Sequence, residues 1–562
     1  MTPAAALERK AAAIVRGRHR FTDPELARIA AERGNEGAWR AGFERYGRDV
    51  VHQVEGDFAI CLEDARGRRF AAVDRFAVHP LCYRTDRDGL HVGERADTVA
   101  GAEADLDPQA IFDYLFFHVI PAPRTVFSGV ARLPAGHCAL EENGELTVSR
   151  WWNPVFVEDG PADFAALRNE FNDLLRECVT RQFDNRRVGC FLSGGTDSST
   201  VAGIVTELSG QPARTYSIGF DAAGYDEMEY ARIAARHFGT DHHEYYVTAD
   251  DIVRSIGDLA ASYDQPFGNS SVLPSYYCAR MAREGGVELM LAGYGGDELF
   301  GGNSRYAKQR IFEAYRHLPG PLRHSVLEPL LADSSAFDRM PGIGKAASYV
   351  RQARVPMPDR LQMYNLLLRL GLDEVLQPEF LAKIDPTDPA RQQRETYDAG
   401  AAGSLINRML AYDWKYTLAD NDLPKVVGAT AQAGVQVGFP LLDDRLVDFS
   451  LRLPPRFKLK GGTLRWFFKE ALRGFLPDAI LAKKKHGFGL PFGVWVMGHR
   501  PLRDLAFESL DSLGRRGIVR PEFLCRLTGE YLPQHPNYYG ELVWIIMSLE
   551  LWMQSHIRST GA

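Results

Sequence analysis

The sequence predicts an α/β protein in two parts. An N-terminal α+β domain spans residues 1–155. A doubly wound parallel sheet follows over residues 156–562 and runs out into a largely helical C-terminal part. Three observations carry this prediction. Between residues 54 and 93, stretches of strand character (Val54–Leu62, Phe70–Val73, Leu90–Gly93) are separated by turn residues, as in an antiparallel sheet. From residue 155 onward, helical patterns alternate with apolar runs at 188–192, 215–220 and 287–291, the signature of βαβ units. After residue 305 the periodicity is helical nearly to the end.

In chain order, residues 1–20 are rich in Ala and Arg and read as helix-like. The antiparallel strands come next. Leu133-Pro-Ala-Gly136, Glu141-Glu-Asn-Gly144 and Trp151-Trp-Asn-Pro154 then read as a last hairpin and a boundary. A chain of 562 residues exceeds one hydrophobic core. With 45% hydrophobic and 25% charged residues it has the composition of an ordinary soluble protein. A net charge of −7 supplies no basic field for nucleic acid. No apolar run reaches the ~18 residues of a membrane span, and the charged N-terminal stretch lacks the apolar segment of a secretory leader. The seven cysteines (61, 82, 138, 178, 190, 278, 525) show no CxxC spacing, which points to reduced thiols and a cytoplasmic setting.

The chemistry concentrates after the run Val188–Leu192, in Ser193-Gly194-Gly195-Thr196-Asp197-Ser198-Ser199. Two glycines let the backbone turn tightly and bring its N–H groups close to a ligand. The helix that follows presents free N–H groups suited to phosphate. Asp197 would repel phosphates unless Mg²⁺ lay between, and Mg²⁺ is typically held by one or two carboxylates plus phosphate oxygens. The loop lacks the lysine of G-x-x-x-x-G-K-[ST]. It resembles the S-G-G-x-D-S-S loop of the N-type ATP pyrophosphatases, in which Ser193, Gly194, Gly195 and Ser198 would grip pyrophosphate.

Further motifs fall in matching order: Tyr216-Ser-Ile-Gly-Phe220, Tyr225–Arg232, Gly239–Glu244, Leu291-Ala-Gly-Tyr-Gly-Gly-Asp-Glu-Leu-Phe-Gly-Gly302, Phe439-Pro-Leu-Leu-Asp443 and Lys483-Lys-Lys-His-Gly-Phe488. Over residues 155–500 the set resembles the synthetase domain of the asparagine synthetase family, which includes β-lactam and carbapenam synthetases and lasso-peptide cyclases. The resemblance implies an ATP pyrophosphatase fold, ATP and Mg²⁺ as cofactors, and C–N bond formation through an acyl-adenylate. Gly293 lies where backbone must approach the nucleotide, and Asp297 would be the second carboxylate on Mg²⁺ beside Asp197. Leu192 and Ile218 are apolar residues at strand ends, suited to sandwich adenine. Lys485 matches the family's lysine that supports charge at the reacting centre. His242 and His243 read as structural or solvent-facing.

The N-terminal stretches Gly56–Ile60 and Val73–Tyr83 resemble the family's glutaminase half, an Ntn-hydrolase-like fold. The active form begins with a nucleophilic cysteine. This chain begins Met1-Thr2-Pro3, its first cysteine is Cys61 inside a predicted strand, and no glutamine-binding Arg or Asn-Gly pattern is recognisable. The expectation is a degenerate domain without glutaminase chemistry. In the synthetase half, Tyr294 stands where asparagine-forming relatives carry an acid, as in β-lactam synthetases. A phenol of ordinary pKa about 10 needs a partner to act as base. Glu328, in a downstream helical pattern, is the candidate, with an exposed helix acid as the competing reading. Gln265, Asn269 and the stretches Pro424–Thr430 and Val435–Gly438 lack charges common in relatives, which points away from aspartate as the acid.

The sequence therefore predicts an AMP-forming amide synthetase acting on small-molecule or peptide carboxylates and amines, without nucleic acid or membrane partners. Tyr294 would deprotonate the amine and Lys485 would stabilise charge. An ammonia-dependent asparagine synthetase and an ATP-binding pseudoenzyme or scaffold are the alternatives. The assembly state stays open, with a homodimer as one candidate.

Overall fold

The computed structural model describes residues 13–87, 89–160, 163–183, 186–222, 224–332, 343–400, 402–483 and 489–557. They form two compact units, Met1–Ala110 with Ile120–Asn153, and Ile111–Val119 with Pro154–Ala562.

In the first unit, β1 (Ile14–Arg16), β2 (Ala59–Glu63), β3 (Arg69–Val73), β4 (His137–Glu142) and β5 (Glu145–Arg150) form one antiparallel sheet in that spatial order. The period-2 alternation sorts the side chains. Ile60, Leu62, Phe70 and Ala72 pack with Trp39 and Phe43 of the helix Pro24–Tyr46, whereas Ala59, Ala71, Val73 and Ala139 join Leu81 and Leu133 in a second cluster. Asn143 (φ 55°) and Gly144 (φ 80°) make the two-residue turn between β4 and β5, which requires positive φ at both positions. The described part of residues 1–20 forms strands Ile14–Arg16 and His19–Phe21, not the helix its composition suggested. Both strands pair with neighbours, β1 with β2 and His19–Phe21 with Val54–Gly56; their residues, Ile-Val-Arg and His-Arg-Phe, include none of the alanines that suggested a helix, and residues 1–12 lie outside the described residues.

In the second unit, β6 (Val188–Phe191), β7 (Arg214–Phe220), β8 (Asp241–Val247), β9 (Leu289–Leu291) and β10 (Gln436–Gly438) form a parallel sheet of order β8-β7-β6-β9-β10. Cys190 of β6 pairs with Thr215 on one side and Leu291 on the other. The chain steps outward from β6 to β8, then crosses back to β9 on β6's opposite flank. That reversal is a topological switch point, where ligands of doubly wound sheets bind outside the carboxyl ends. Helices α1 (Thr196–Ser209), α2 (Met228–Phe238) and α3 (Val272–Glu284) follow or flank these strands. Cys278 and Ala282 of α3 bury against Tyr216, Met290 and Val435.

Residues Ile111–Val119 join this unit through bonds that include the buried Tyr114 hydroxyl donating to the Ile545 carbonyl at 2.8 Å, Gly268 N–H donating to the His118 carbonyl at 2.8 Å and Asn365 Nδ2 donating to the Phe116 carbonyl at 3.0 Å. Among the described residues the chain is mostly helical from Ser304 to His556. The last helix, Pro536–His556, is largely buried and includes Glu550, which is 0% exposed. Its carboxylate accepts from Arg516 Nε at 2.5 Å and from the Ser512 hydroxyl at 2.7 Å, the pairing a buried charge requires.

Candidate active site

Beyond Phe191 the β6–β7 ladder continues one more step, with Leu192 N–H donating to the Tyr216 carbonyl at 2.9 Å, and Leu192 is buried. The backbone then turns through Gly194 at φ +65°, where a Cβ would run into the backbone of Tyr230. Ser193 N–H donates to Ser198 Oγ at 3.1 Å, and the two hydroxyl oxygens are 3.0 Å apart, closing the loop on itself. Gly195 caps α1 without any side-chain hydrogen bond, so the first helical N–H groups stay open to an anion.

The loop after β9 is built the same way. Gly295 has φ +100°, and the short helix α4 (Gly296–Phe300) carries Asp297 in its first turn. The two loops interlock through glycine. A Cβ on Gly293 would lie 2.7 Å from Ser198 N, and one on Gly296 would collide with the Asp197 carboxylate. Backbone of the second loop thus closes directly on the first.

Asp197 and Asp297 converge on one side chain. Arg465 Nη1 donates to Asp197 Oδ2 at 2.9 Å and to Asp297 Oδ1 at 2.6 Å, while Nη2 bonds Asp197 Oδ1. Oxygens held by a single nitrogen are close enough to share one cation. Among the described residues no group of three or more His, Cys, Asp or Glu could hold a metal. Two carboxylates without further protein ligands fit Mg²⁺, which completes its shell with phosphate and water, and do not fit an all-protein cage. Burial opposes the charge of Arg465, but Asp197 and Asp297 together hold its guanidinium well above even the usual arginine range.

These groups line a cavity of about 850 Å³. Leu192, Ser193, Gly195, Asp197, Ser198, Ile218, Gly293, Tyr294 and Asp297 all contribute to its wall. Lys485 lies outside the described residues. Lys483 of the same lysine run reaches the site: its Nζ lies 3.0 Å from Glu227 Oε2, 3.5 Å from the Ser193 carbonyl and 4.5 Å from the centre of the Tyr230 ring.

Glu328 does not partner Tyr294. Its carboxylate accepts from the Tyr315 hydroxyl at 3.2 Å and pairs with His324 at 3.2 Å, and it is absent from the cavity wall. Lys425 stands at Tyr294 instead, with Nζ 4.8 Å from the ring centre and 2.6 Å from Asp422 Oδ1. Burial holds the Tyr294 phenol above its ordinary value, and the Lys425 charge offsets part of that rise. Burial also opposes the Lys425 ammonium, yet Asp422 and Tyr294 hold it above the usual lysine range. Asn269 also lines the cavity, its Nδ2 donating to Asn421 Oδ1 at 2.8 Å. His242 and His243 sit in β8, one bonded to Thr215 at 2.9 Å, the other stacked on Tyr216 with ring centres 5.0 Å apart.

Sequence reading missed Arg465 and Lys425 with Asp422, and it placed Lys483 in the last motif while assigning the charge role to Lys485. The available signals were Gly461-Gly462 three residues before Arg465, and the i,i+3 spacing of Asp422 and Lys425.

Comparison with known proteins defines the class. The asparagine synthase family model matches residues 170–554, and a glutamine amidotransferase domain model matches residues 40–152. The protein is an ATP-using ligase that forms carbon–nitrogen bonds. The chain belongs to the asparagine synthase family. It is 24% identical over 533 residues to glutamine-hydrolysing asparagine synthetase 1 of Bacillus subtilis strain 168, covering 92% of this chain and 80% of that protein. It is 26% identical over 537 residues to a putative glutamine-hydrolysing asparagine synthetase of Mycobacterium bovis, covering 93% and 80%. A putative asparagine synthetase 2 of Methanocaldococcus jannaschii is 31% identical over 290 residues, 50% of this chain and 56% of that protein.

Proposed function

We propose that the chain is an AMP-forming amide synthetase that works through an acyl-adenylate and does not draw its nitrogen from glutamine. The observation that carries this reading is the convergence of Asp197 and Asp297 on one nitrogen of Arg465 at the switch point of the parallel sheet. Leu192 and Ile218 offer adenine an apolar seat, and the loop 193–198 with the open end of α1 offers N–H donors to the β- and γ-phosphates. Mg²⁺, when bound, would be held by Asp197 and Asp297 with phosphate oxygens and would neutralise charge on the departing pyrophosphate.

A substrate carboxylate attacks the α-phosphorus, the α–β phosphoanhydride breaks, and pyrophosphate leaves. An amine then attacks the acyl carbon, AMP leaves with the former carboxylate oxygen, and the amine loses a proton. Tyr294 is the group assigned to that proton. Lys425, fixed by Asp422, supplies the nearby cation that a buried phenol needs before it can serve as base. Lys483 and Lys485 are the cations of the last motif assigned to charge support.

Two observations support a substrate other than aspartate and ammonia from glutamine, as in specialised biosynthesis. Arg465 is the sole arginine among the described residues lining the cavity, and both carboxylates of the metal pair already engage it. A dicarboxylic amino acid calls for a further fork-shaped cation. In the first unit, Cys61 lies in β2 with its thiol pushed by burial to about 11, and burial raises the Cys138 thiol as well, so neither is a ready thiolate. The relatives' names favour a second reading, asparagine as product, which an assay with aspartate and ammonium decides.

The test is ATP–pyrophosphate exchange with candidate acids. Wild type is expected to exchange and to yield AMP. Asp197→Ala should lose roughly 10²–10³-fold or more of that rate, the order seen when charge stabilisation is removed from a reacting centre. Formation of ADP, or exchange unchanged by Asp197→Ala, would overturn the reading.

A further inference from the structure

Arg465 is placed as few arginines are. Its backbone is left-handed (φ 54°, ψ 36°) at the end of the two-stranded hairpin Leu459–Lys460 and Thr463–Leu464, whose turn is Gly461-Gly462. Its N–H donates to the Gly301 carbonyl at 3.1 Å, tying it to the end of α4. The guanidinium lies 4.3 Å from the centre of the Phe468 ring, and the residue is 6% exposed. Two of its nitrogens serve the two carboxylates. The third, Nε, is buried and has no hydrogen-bond partner among the described residues. A buried donor left over in this way is costly, so the side chain is not fully satisfied in its present pairing. It also faces a cavity large enough for a nucleotide.

The electrostatics follow from charge counting. Two carboxylates held this close repel one another, and Arg465 is the cation that neutralises them in part. A bare divalent ion would have to give up part of a tightly held hydration shell and drive a guanidinium from bonds that outlast a large part of its desolvation. A metal–nucleotide complex meets a lower barrier, because its phosphate oxygens are themselves acceptors for the displaced fork.

We propose that Arg465 is an exchangeable counter-ion of the Asp197–Asp297 pair: it keeps the pair closed to free divalent metal and releases it when nucleotide phosphates take over the guanidinium. Metal and nucleotide therefore bind synergistically. This rests on the assignment of Mg²⁺–ATP to this cavity. Arg465 acts here as a positioning residue, and its left-handed backbone and glycine hairpin keep the fork at the mouth of the pair, where a change of side-chain torsion alone exchanges its partners.

The test measures metal binding and needs no acid substrate. Full-length protein is titrated with Mn²⁺, with free Mn²⁺ read by electron paramagnetic resonance, in the absence and presence of saturating α,β-methylene-ATP. In wild type the nucleotide should tighten Mn²⁺ binding roughly tenfold or more, within the usual range of coupling between sites. Arg465→Met should bind Mn²⁺ alone about tenfold tighter than wild type and lose most of the synergy. Arg465→Lys, which keeps a cation but not the fork, should fall between. Equal Mn²⁺ affinity with and without nucleotide in wild type overturns the counter-ion role, and that measurement needs no variant. A gain in Arg465→Met that persists when Asp197→Asn is added overturns it too, because the metal would then sit elsewhere. Failure of the underlying assignment looks different: wild type would then bind neither the nucleotide analogue nor its manganese complex.

Discussion

Lys458 is fully buried at the base of the hairpin that ends in Arg465. Its Nζ lies 2.8 Å from Asn407 Oδ1 and 4.7 Å from the centre of the Phe156 ring. Burial lowers its pKa to about 7, with Glu158 working in the opposite direction. Unfolded lysine titrates near 10.4. Between those values the unfolded chain binds the extra proton and the folded chain does not, so stability rises with pH across that window. Below it the folded protein carries an unfavourable buried charge. Lys458→Met is expected to be more stable than wild type at pH 6 by as much as a few kcal/mol, at about 1.4 kcal/mol per unit of pKa shift. The advantage should shrink steadily toward pH 10 in urea unfolding, and a difference independent of pH would refute the neutral buried amine. Neither Lys458 nor Arg465 was legible in the sequence. Each is a single basic residue in an unremarkable local pattern, and its role comes from acids at distant positions: Glu158 for one, Asp197 and Asp297 for the other.

At the level of elements, legibility followed burial. Strands β6, β7 and β9 are interior to the sheet; β6 and β9 read as apolar runs, and β7, Arg-Thr-Tyr-Ser-Ile-Gly-Phe, as an aromatic and β-branched stretch whose Thr and Ser are buried. β8, with sequence Asp-His-His-Glu-Tyr-Tyr-Val, and β10, with Gln-Val-Gly, are the two edges. An edge strand pairs on one side only and tolerates polar residues, so its sequence carries little strand signal. The glycine–hydroxyl loop was legible because its residue types are dictated by backbone geometry. The packing of α1 on α2 gives a further expectation. A Cβ on Gly203 would lie 2.5 Å from Phe238 Cε1, in contact with the helix that follows β7. Gly203→Ala gains helix propensity of up to about 1 kcal/mol. It also forces Phe238 aside at a typical overpacking cost of ~1–3 kcal/mol. The net expectation is a lower urea midpoint by the equivalent of roughly 1 kcal/mol, with an unchanged slope. A midpoint that stays or rises would show that Phe238 yields freely.

For the molecule as a whole, the first unit keeps the amidotransferase core while its cysteines sit in strands. Supplied with L-glutamine, ATP and Mg²⁺, the full chain is expected to release glutamate no faster than a protein-free blank in a glutamate dehydrogenase-coupled assay. An appreciable rate would restore glutamine as the nitrogen donor. The family and the two-part architecture were readable because motifs survive in order along the chain. The nitrogen donor and the acid were not, because they depend on pocket walls assembled from segments as far apart as Asn269, Tyr294 and Lys425.

The strand order reverses at β6, and this has a consequence for how the molecule comes into being. Asp197 follows a strand made early, whereas its companion Asp297 and the fork that bridges them emerge from the ribosome much later. Such distant pairings form late and slowly. A nascent or partly unravelled chain therefore owns the glycine loop but no place to lodge a nucleotide. With ATP assigned to this cavity as proposed above, the nucleotide would bind finished protein alone and would act as a mass-action clamp on the last step of assembly.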